Sequence, residues 1–110
     1  MQVVNLTPHV LNIHTEDGSV LVVPPDGRLA RAGVKTERLP PIQVGQYTMS
    51  AARKTLGEVQ GLPEPERDVI YIVSYQAAQA VPDREDVFFP GEAVRDAAGN
   101  VVGCVGLSHI

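Results

Sequence analysis

The sequence predicts a small α+β domain spanning residues 1–110, with a mostly antiparallel β-sheet or partly closed barrel and one short helix. Three observations favour this fold class. Glycine and proline clusters recur at short intervals along the chain, as they do between short strands joined by turns. Valine is frequent and tryptophan absent, a composition that suits strands. Residues 69–73 form a continuous run of β-forming apolar side chains, typical of a buried central strand.

The N-terminal part of the chain predicts three short strands. Residues 3–6, 10–15 and 20–23 are rich in valine, leucine and isoleucine. The dipeptide Asp17-Gly18 separates the second strand from the third, and Asp-Gly is a strong hairpin-turn signal. We therefore expect a hairpin here.

The middle of the chain is less regular. Residues 29–35 alternate as a strand does. We expect the apolar side chains of this strand to face the core; they are Ala30, Ala32 and Val34. Pro40-Pro41 should break the chain. Residues 43–54 favour a strand, although their last four could begin a helical turn, and residues 57–65 read as a loop because two prolines oppose both helix and central strand.

The C-terminal part predicts the one helix and a second hairpin. Ser74 offers an N-cap to a helix over residues 75–81, which Pro82 ends. The stretch Asp96–Asn100 separates two valine-containing runs and reads as the turn of a hairpin.

Composition excludes several classes of function. Nine Lys and Arg against thirteen Asp and Glu give a net charge of −4, which argues against binding to duplex nucleic acid. The single cysteine excludes an internal disulfide and an all-cysteine zinc site. No apolar run approaches the roughly 18 residues that suggest a membrane span, and no secretory signal is visible. We expect no cofactor, no membrane partner and a cytoplasmic location.

Catalytic and metal-binding patterns are weak. Cys104 lies in a glycine-flanked β run and reads as a small buried apolar residue. Ser74 lacks the Gly-x-Ser-x-Gly frame of a nucleophile elbow. The three histidines have no paired ligand spacing. We therefore predict no catalytic residue and no metal site, and a small hydrolase using Cys104 or Ser74 is the least favoured alternative.

Arginine is the more informative residue type. Seven of the nine cations are arginine, whose guanidinium binds phosphate and carboxylate in a bidentate manner. Aromatic faces could stack on a base or ribose. The candidate ligand-binding residues are Arg28, Arg31, Arg84, Arg95, Tyr75 and Phe89. The alternative is that each arginine pairs locally with Asp83, Asp86 or Asp96, or is solvated.

Three stretches together resemble a family of small phage and prophage proteins. They are Asn5-Leu6-Thr7-Pro8-His9, the segment 57–65 running into Tyr71-Ile72-Val73-Ser74, and the segment 82–100. The order and spacing of these stretches carry the resemblance, which covers residues 4–107. The family is associated with phage sponge proteins of the anti-Thoeris type, which sequester cyclic nucleotide immune signals.

The resemblance implies a non-catalytic homo-oligomer that binds a small cyclic nucleotide of the cyclic ADP-ribose type at subunit interfaces. A sponge needs affinity without turnover, and a chain this short forms only a shallow pocket alone. A structural or protein-interaction component of a phage or mobile element is the alternative, and a valine-rich β protein suits it equally.

Overall fold

The computed structural model describes all 110 residues and contains eight strands and one helix. The elements in chain order are β1 Gln2–Asn5, β2 Leu11–His14, β3 Val20–Val23, β4 Arg31–Val44, β5 Tyr47–Gln60, β6 Val69–Ile72, α1 Tyr75–Gln79, β7 Val87–Arg95 and β8 Val101–Ser108.

Six strands form one sheet in the order β1-β6-β7-β8-β2-β3. The β2–β3 and β7–β8 pairs are the two predicted hairpins, whereas β6 runs parallel to both of its neighbours and β8 runs parallel to β2. The two end strands of this sheet, β1 and β3, approach each other, as two hydrogen bonds show. Asn5 Nδ2 donates to the Val23 carbonyl at 3.1 Å, and the backbone amide of Asp26, just after β3, donates to the Asn5 carbonyl at 2.9 Å. The predicted fold class, α+β with a mostly antiparallel sheet or partly closed barrel and one short helix, is confirmed; within the six-stranded sheet the pairing is mixed.

The core of this body is small and lies on both sides of β6. Tyr71 and Val73 contact one buried cluster, which includes the helix residues Ala77 and Ala78. Ile72 points the other way into a second cluster, as alternation along a strand requires. The predicted central position of residues 69–73 is therefore confirmed.

The remaining two strands form an arm that leaves the body. Strands β4 and β5 have 14 residues each and pair only with each other as a two-stranded sheet. The radius of gyration is 18.0 Å, against about 13 Å for a compact domain of this length. The long hairpin accounts for this excess.

Three expectations for the middle of the chain were wrong. Pro40-Pro41 does not end the strand, since β4 continues through a bulge at that point; each arm strand has a free edge, where a missing N–H costs no ladder bond. Strand β5 continues to Gln60, so the predicted loop starts later. Val34 is 51% exposed and does not face the core, because β4 has already left the body at that residue.

The helix is shorter than expected and ends at Gln79. Its predicted N-cap is confirmed, since Ser74 Oγ accepts a hydrogen bond from the Ala77 amide at 3.2 Å. No helix of the structure has the length and apolarity needed to cross a membrane.

Candidate functional site

Arg28 forms a local ion pair at the turn that follows β3. Its Nε donates to Asp26 Oδ2 at 2.6 Å, and the Arg28 side chain is 59% exposed. The pair lowers the pKa of the Asp26 carboxyl and raises the pKa of Arg28, the hydrogen bond being the largest cause in both. The turn Pro24–Gly27 places both groups on the same side, so Arg28 has a structural partner.

Arg84 ties two loops of the body together. Its Nε and Nη2 donate to the two carboxylate oxygens of Asp86 at 2.8 and 2.9 Å, and Nη2 also donates to the Pro63 carbonyl at 2.9 Å. The bidentate contact with Arg84 lowers the pKa of Asp86 against the opposing effect of partial burial. With three hydrogen bonds to Asp86 and the Pro63 carbonyl, this guanidinium is already committed to the fold.

Arg95 closes the turn of the β7–β8 hairpin. Its Nη1 donates to the Gly99 carbonyl at 2.8 Å, while the Asp96 carboxylate accepts from the amides of Ala98 and Asn100 at 2.9 and 3.0 Å. The side chain of Arg95 therefore stabilises the connection between the two strands.

Arg31 differs from the other three predicted arginines. It is exposed at the first position of β4 and belongs to none of the ion pairs of the structure. It lines a cavity of about 320 Å³ at the point where the arm leaves the body, together with Thr7-Pro8, Ser74 and Gln76. We name this the base-of-arm cavity.

The walls of the base-of-arm cavity are held by hydrogen bonds between elements. The Ala30 amide donates to the Leu6 carbonyl at 3.1 Å, which fixes the approach of the chain to β4. Gln76 Nε2 donates to the Ala32 carbonyl at 3.1 Å, which ties α1 to the base of the arm. The Arg31 guanidinium thus projects from a backbone anchored on both sides.

The opposite wall depends on the Asn-Leu-Thr-Pro-His stretch. Asn5 is 1% exposed; its amide nitrogen donates to the His9 carbonyl at 2.8 Å, and its oxygen accepts from the Thr7 amide and hydroxyl at 3.0 and 2.7 Å. This network holds the turn that presents Thr7-Pro8 to the cavity. The Asn-Leu-Thr-Pro-His stretch therefore has a structural role, which is to hold this turn through the buried Asn5 side chain.

The two aromatic candidates are in contact with each other. Tyr75 and Phe89 stack with ring centroids 4.8 Å apart and planes 7° from parallel. Phe89 also packs against the core, whereas Tyr75 is 57% exposed. Because Tyr75 lies between Ser74 and Gln76 in the chain, the exposed ring is close in sequence to the lining of the base-of-arm cavity.

A second, larger cavity was not expected from the sequence. It has a volume of about 650 Å³ and is open to solvent between β2, β7 and β8. Its lining is mostly apolar and includes Val10, Val101 and Val102. We name this the β2–β8 cavity. It arises from the parallel pairing of β8 with β2, which no local pattern in the sequence indicates.

The structure thus separates the predicted site residues. Arg31 lines the base-of-arm cavity, and Tyr75 and Phe89 form a stack. Neither of the two cavities is lined by Arg28, Arg84 or Arg95, and each of these three has a local partner. Within one copy the four arginines therefore do not surround a shared hollow, and for Arg84 the expected alternative of pairing with Asp86 is what is observed.

The remaining reactive side chains have structural contacts. The Cys104 thiol is buried and lies 3.5 Å from the Gly106 carbonyl. His109 Nε2 lies 3.0 Å from the Arg84 carbonyl, and the His109 ring meets Phe88 edge-on at 5.2 Å. Contacts with two backbone carbonyls raise the pKa of His109. The contact with the Ile110 carbonyl has the larger effect, and the contact with the Arg84 carbonyl has the smaller one. The C-terminal tail is therefore held against the 81–87 loop.

Comparisons of this chain with protein-family models, with curated proteins and with solved structures find no match.

Proposed function

We propose that this protein is a non-catalytic binding protein that sequesters a phosphate-bearing cyclic nucleotide of the cyclic ADP-ribose type, as an oligomer in the host cytoplasm. The proposed site is the base-of-arm cavity. The proposal starts from the resemblance to phage sponge proteins, and the observation that carries it here is the uncommitted guanidinium of Arg31 in that cavity.

The chemistry of the cavity suits a phosphate. Arg31 offers guanidinium donors that no carboxylate occupies, and charge-assisted hydrogen bonds of this kind are about twice as strong as neutral ones. The Ser74 hydroxyl lines the same cavity. It accepts from the Ala77 amide, so its own hydrogen is available to an anion.

Tyr75, which lies in the chain between the lining residues Ser74 and Gln76 without lining the cavity itself, supplies a surface for a base. One face of its ring is covered by Phe89, which keeps the ring in a fixed orientation. Its 57% exposure leaves apolar area accessible to a ligand. Stacking of a base on an aromatic ring contributes roughly 1–3 kcal/mol, which supplements the phosphate contact.

One copy offers only part of such a site. Pockets that bind small molecules have volumes of roughly 300–1,000 Å³ and enclose most of the ligand; the base-of-arm cavity, at about 320 Å³ and open to solvent, is at the lower limit. A second copy bringing further side chains to this cavity would enclose the ligand. The proposal therefore includes oligomerisation.

The proposal is tested by calorimetric titration with cyclic ADP-ribose and its isomers. We expect binding by the unmodified protein, and Arg31→Ala should weaken it roughly 10- to 150-fold, the equivalent of losing a charge-assisted hydrogen bond of about 1.5–3 kcal/mol. Heating the complex should release the nucleotide intact, since no transformation is proposed.

Arg67→Ala is the matched control. Arg67 is 96% exposed, lies 3.9 Å from Asp68 and lines neither cavity, so the same change of charge should leave the affinity unaltered. Absence of binding to every cyclic nucleotide, equal losses in the two variants, or recovery of a hydrolysed ligand would each contradict the proposal.

A second candidate function is that of a structural or protein-interaction component of a phage or mobile element. The observation that favours it is the long exposed β4–β5 arm, since a projecting hairpin is a common means of joining subunits. Co-purification of the protein with assembled particles, together with failure of every nucleotide to bind, would favour this function over sequestration.

A further inference from the structure

We propose that the β4–β5 arm docks onto the body of a second copy of this chain, with the apolar side of the arm's tip lying in the β2–β8 cavity of that copy. The inference rests on the arm and the cavity alone and does not depend on whether a nucleotide is bound.

The tip of the arm has one apolar side. Residues paired across an antiparallel ladder project to the same side of the sheet, and alternate pairs share a side. Three alternate pairs at the tip are apolar: Leu39 with Ala51, Ile42 with Met49, and Val44 with Tyr47. We name these six residues the apolar tip face. The opposite side carries polar groups such as Gln43 and Thr48, whose side chains are hydrogen-bonded to each other at 2.6 Å.

Nothing in a single copy covers the apolar tip face. Ile42, Val44, Tyr47 and Met49 are 50%, 52%, 66% and 47% exposed. An isolated two-stranded hairpin is at best marginally stable in water and needs packing on one face. A contiguous apolar surface on such a hairpin is expected to mark an interface, so this arm requires a partner.

The charge distribution identifies the partner as the body of another copy. Residues 31–60 carry five cationic side chains and two carboxylates, a net charge of +3. Because the whole chain has a charge of −4, the other residues carry −7. A basic arm is attracted to an acidic body and repelled by another arm, so arm-on-body docking is favoured over a pair of arms packed together.

The β2–β8 cavity is the apolar surface of the body that can receive the tip. Val10, Val101 and Val102 line it and are 53%, 58% and 45% exposed. Glu92 lies between the lining residues Gly91 and Ala93 and is exposed. Because successive side chains of a strand alternate between the two faces, Glu92 points away from the lining. The cavity itself therefore offers a mostly apolar lining to the apolar tip, and the attraction of the basic arm comes from the net charge of the body.

The apolar tip face is only part of what a stable interface needs. It has six residues, and a specific interface of standard size uses roughly 20–30 residues on each side. If two copies exchange arms, the tip contact is formed twice, and the remaining residues of the two 14-residue strands are available to extend each contact.

The test is the oligomeric state, measured by sedimentation velocity at several protein concentrations. We expect the unmodified protein to sediment as an oligomer, and Met49→Asp, which places a charge on the apolar tip face, to raise the dissociation constant about 100-fold, as loss of a central apolar contact does. Ile42→Asp should have the same effect, since its side chain is on the same side.

Ser50→Asp is the matched control, because Ser50 is adjacent to Met49, equally part of β5 and on the polar side. This variant should remain an oligomer. Met49 is exposed in the monomer, so the substitution should not unfold the body; circular dichroism checks this, and Ile42→Asp provides a second reading.

The variant Val102→Asp, on the body, decides where the tip docks. Dissociation of Val102→Asp as well as Met49→Asp, with Ser50→Asp unaffected, supports arm-on-body docking. A monomeric unmodified protein, an oligomer insensitive to Met49→Asp, or an oligomer broken by Met49→Asp but not by Val102→Asp would each overturn it, the last because it indicates arms packed on arms.

Discussion

Asn5 shows how one buried polar side chain can organise a region of this protein. Its amide group satisfies the carbonyls of His9 and Val23 and accepts from Thr7, so it joins the end of β1, the following turn and the far edge of the sheet. No buried polar side-chain atom of the structure lacks a partner. A buried group that is fully hydrogen-bonded is tolerated, whereas an altered one is costly.

We predict that Asn5→Asp destabilises the protein by about 2–4 kcal/mol at neutral pH. A carboxylate has acceptors only, and in this position it would face two backbone carbonyls that now receive hydrogen bonds, with burial adding to the cost. Urea unfolding followed by circular dichroism measures the change.

Asn12→Asp serves as the control for this prediction, because Asn12 Nδ2 makes one exposed hydrogen bond, to the Val102 carbonyl at 3.2 Å. Asn12→Asp should change the free energy of unfolding by no more than about 0.5–1 kcal/mol. Equal losses of stability in the two variants would show that the network around Asn5 is unimportant.

The arginines make a related point at the scale of residues. Sequence alone indicated that Arg28, Arg31, Arg84 and Arg95 could bind an anion, and that each could instead pair locally. The choice depends on whether an acceptor is within reach, which is a matter of turn geometry. Three of the four arginines have a hydrogen-bond acceptor within four residues along the chain. Arg31 lies on a strand that leaves the body and has none.

At the scale of elements, the β7–β8 hairpin is shaped by close approach of backbones. A Cβ added to Gly91 would clash with the Val105 carbonyl oxygen and lie 2.9 Å from that of Gly106. Both are backbone atoms, so the strand itself would have to move. Gly91 is thus required by the close approach of the β8 backbone to β7.

We predict that Gly91→Ala destabilises the protein by about 1–3 kcal/mol, because overpacking against backbone distorts the ladder. Gly33→Ala is the control, since a Cβ at Gly33 meets nothing within 4 Å and its φ is not positive, even though it lies at a register shift of the β4–β5 ladder; it should be neutral or stabilise slightly. Thermal unfolding measures both, and a neutral Gly91→Ala would contradict the account of this hairpin.

The arm illustrates what local patterns could not indicate. Alternation in residues 29–35 correctly indicated a strand, and from alternation the apolar set was assigned to the core. The assignment to the core is right for Ala30 and wrong for Val34. The same periodicity arises whether the apolar side of a strand faces the body of its own copy or another molecule. The strand through Pro40-Pro41 is similar: proline opposes a central strand, and only the fold reveals that this strand has a free edge.

At the scale of the whole molecule, the body and the arm have separable roles. The arm contributes to the core only near its base, through Ala32 and Val59, and the rest of it extends into solvent. The molecular dimensions of 59 × 40 × 22 Å reflect this division. Stability of the body should therefore depend little on the outer part of the arm.

We predict that replacing residues 36–54 with an Asn-Gly turn leaves a folded body. The two-residue turn suits the hairpin, and no residue of the buried core is removed. Small-angle scattering of the shortened protein should give a radius of gyration near the roughly 13 Å of a compact domain, below the 18.0 Å of one intact protomer, and far-ultraviolet circular dichroism should still show a cooperative transition. Loss of that transition would mean that the arm is needed to fold the body.

Sequence by itself determined much of the local structure of this protein: the short N-terminal strands, the Asp-Gly turn, the capped helix and the central position of residues 69–73. These follow from side-chain periodicity and turn chemistry, which act over a few residues. Tertiary structure alone decided the parallel pairing of β8 with β2, the cavity it creates, the separation of the arginines and the exposure of one face of the arm. Such features depend on contacts between residues far apart in the chain, and no local pattern encodes which surface will meet which.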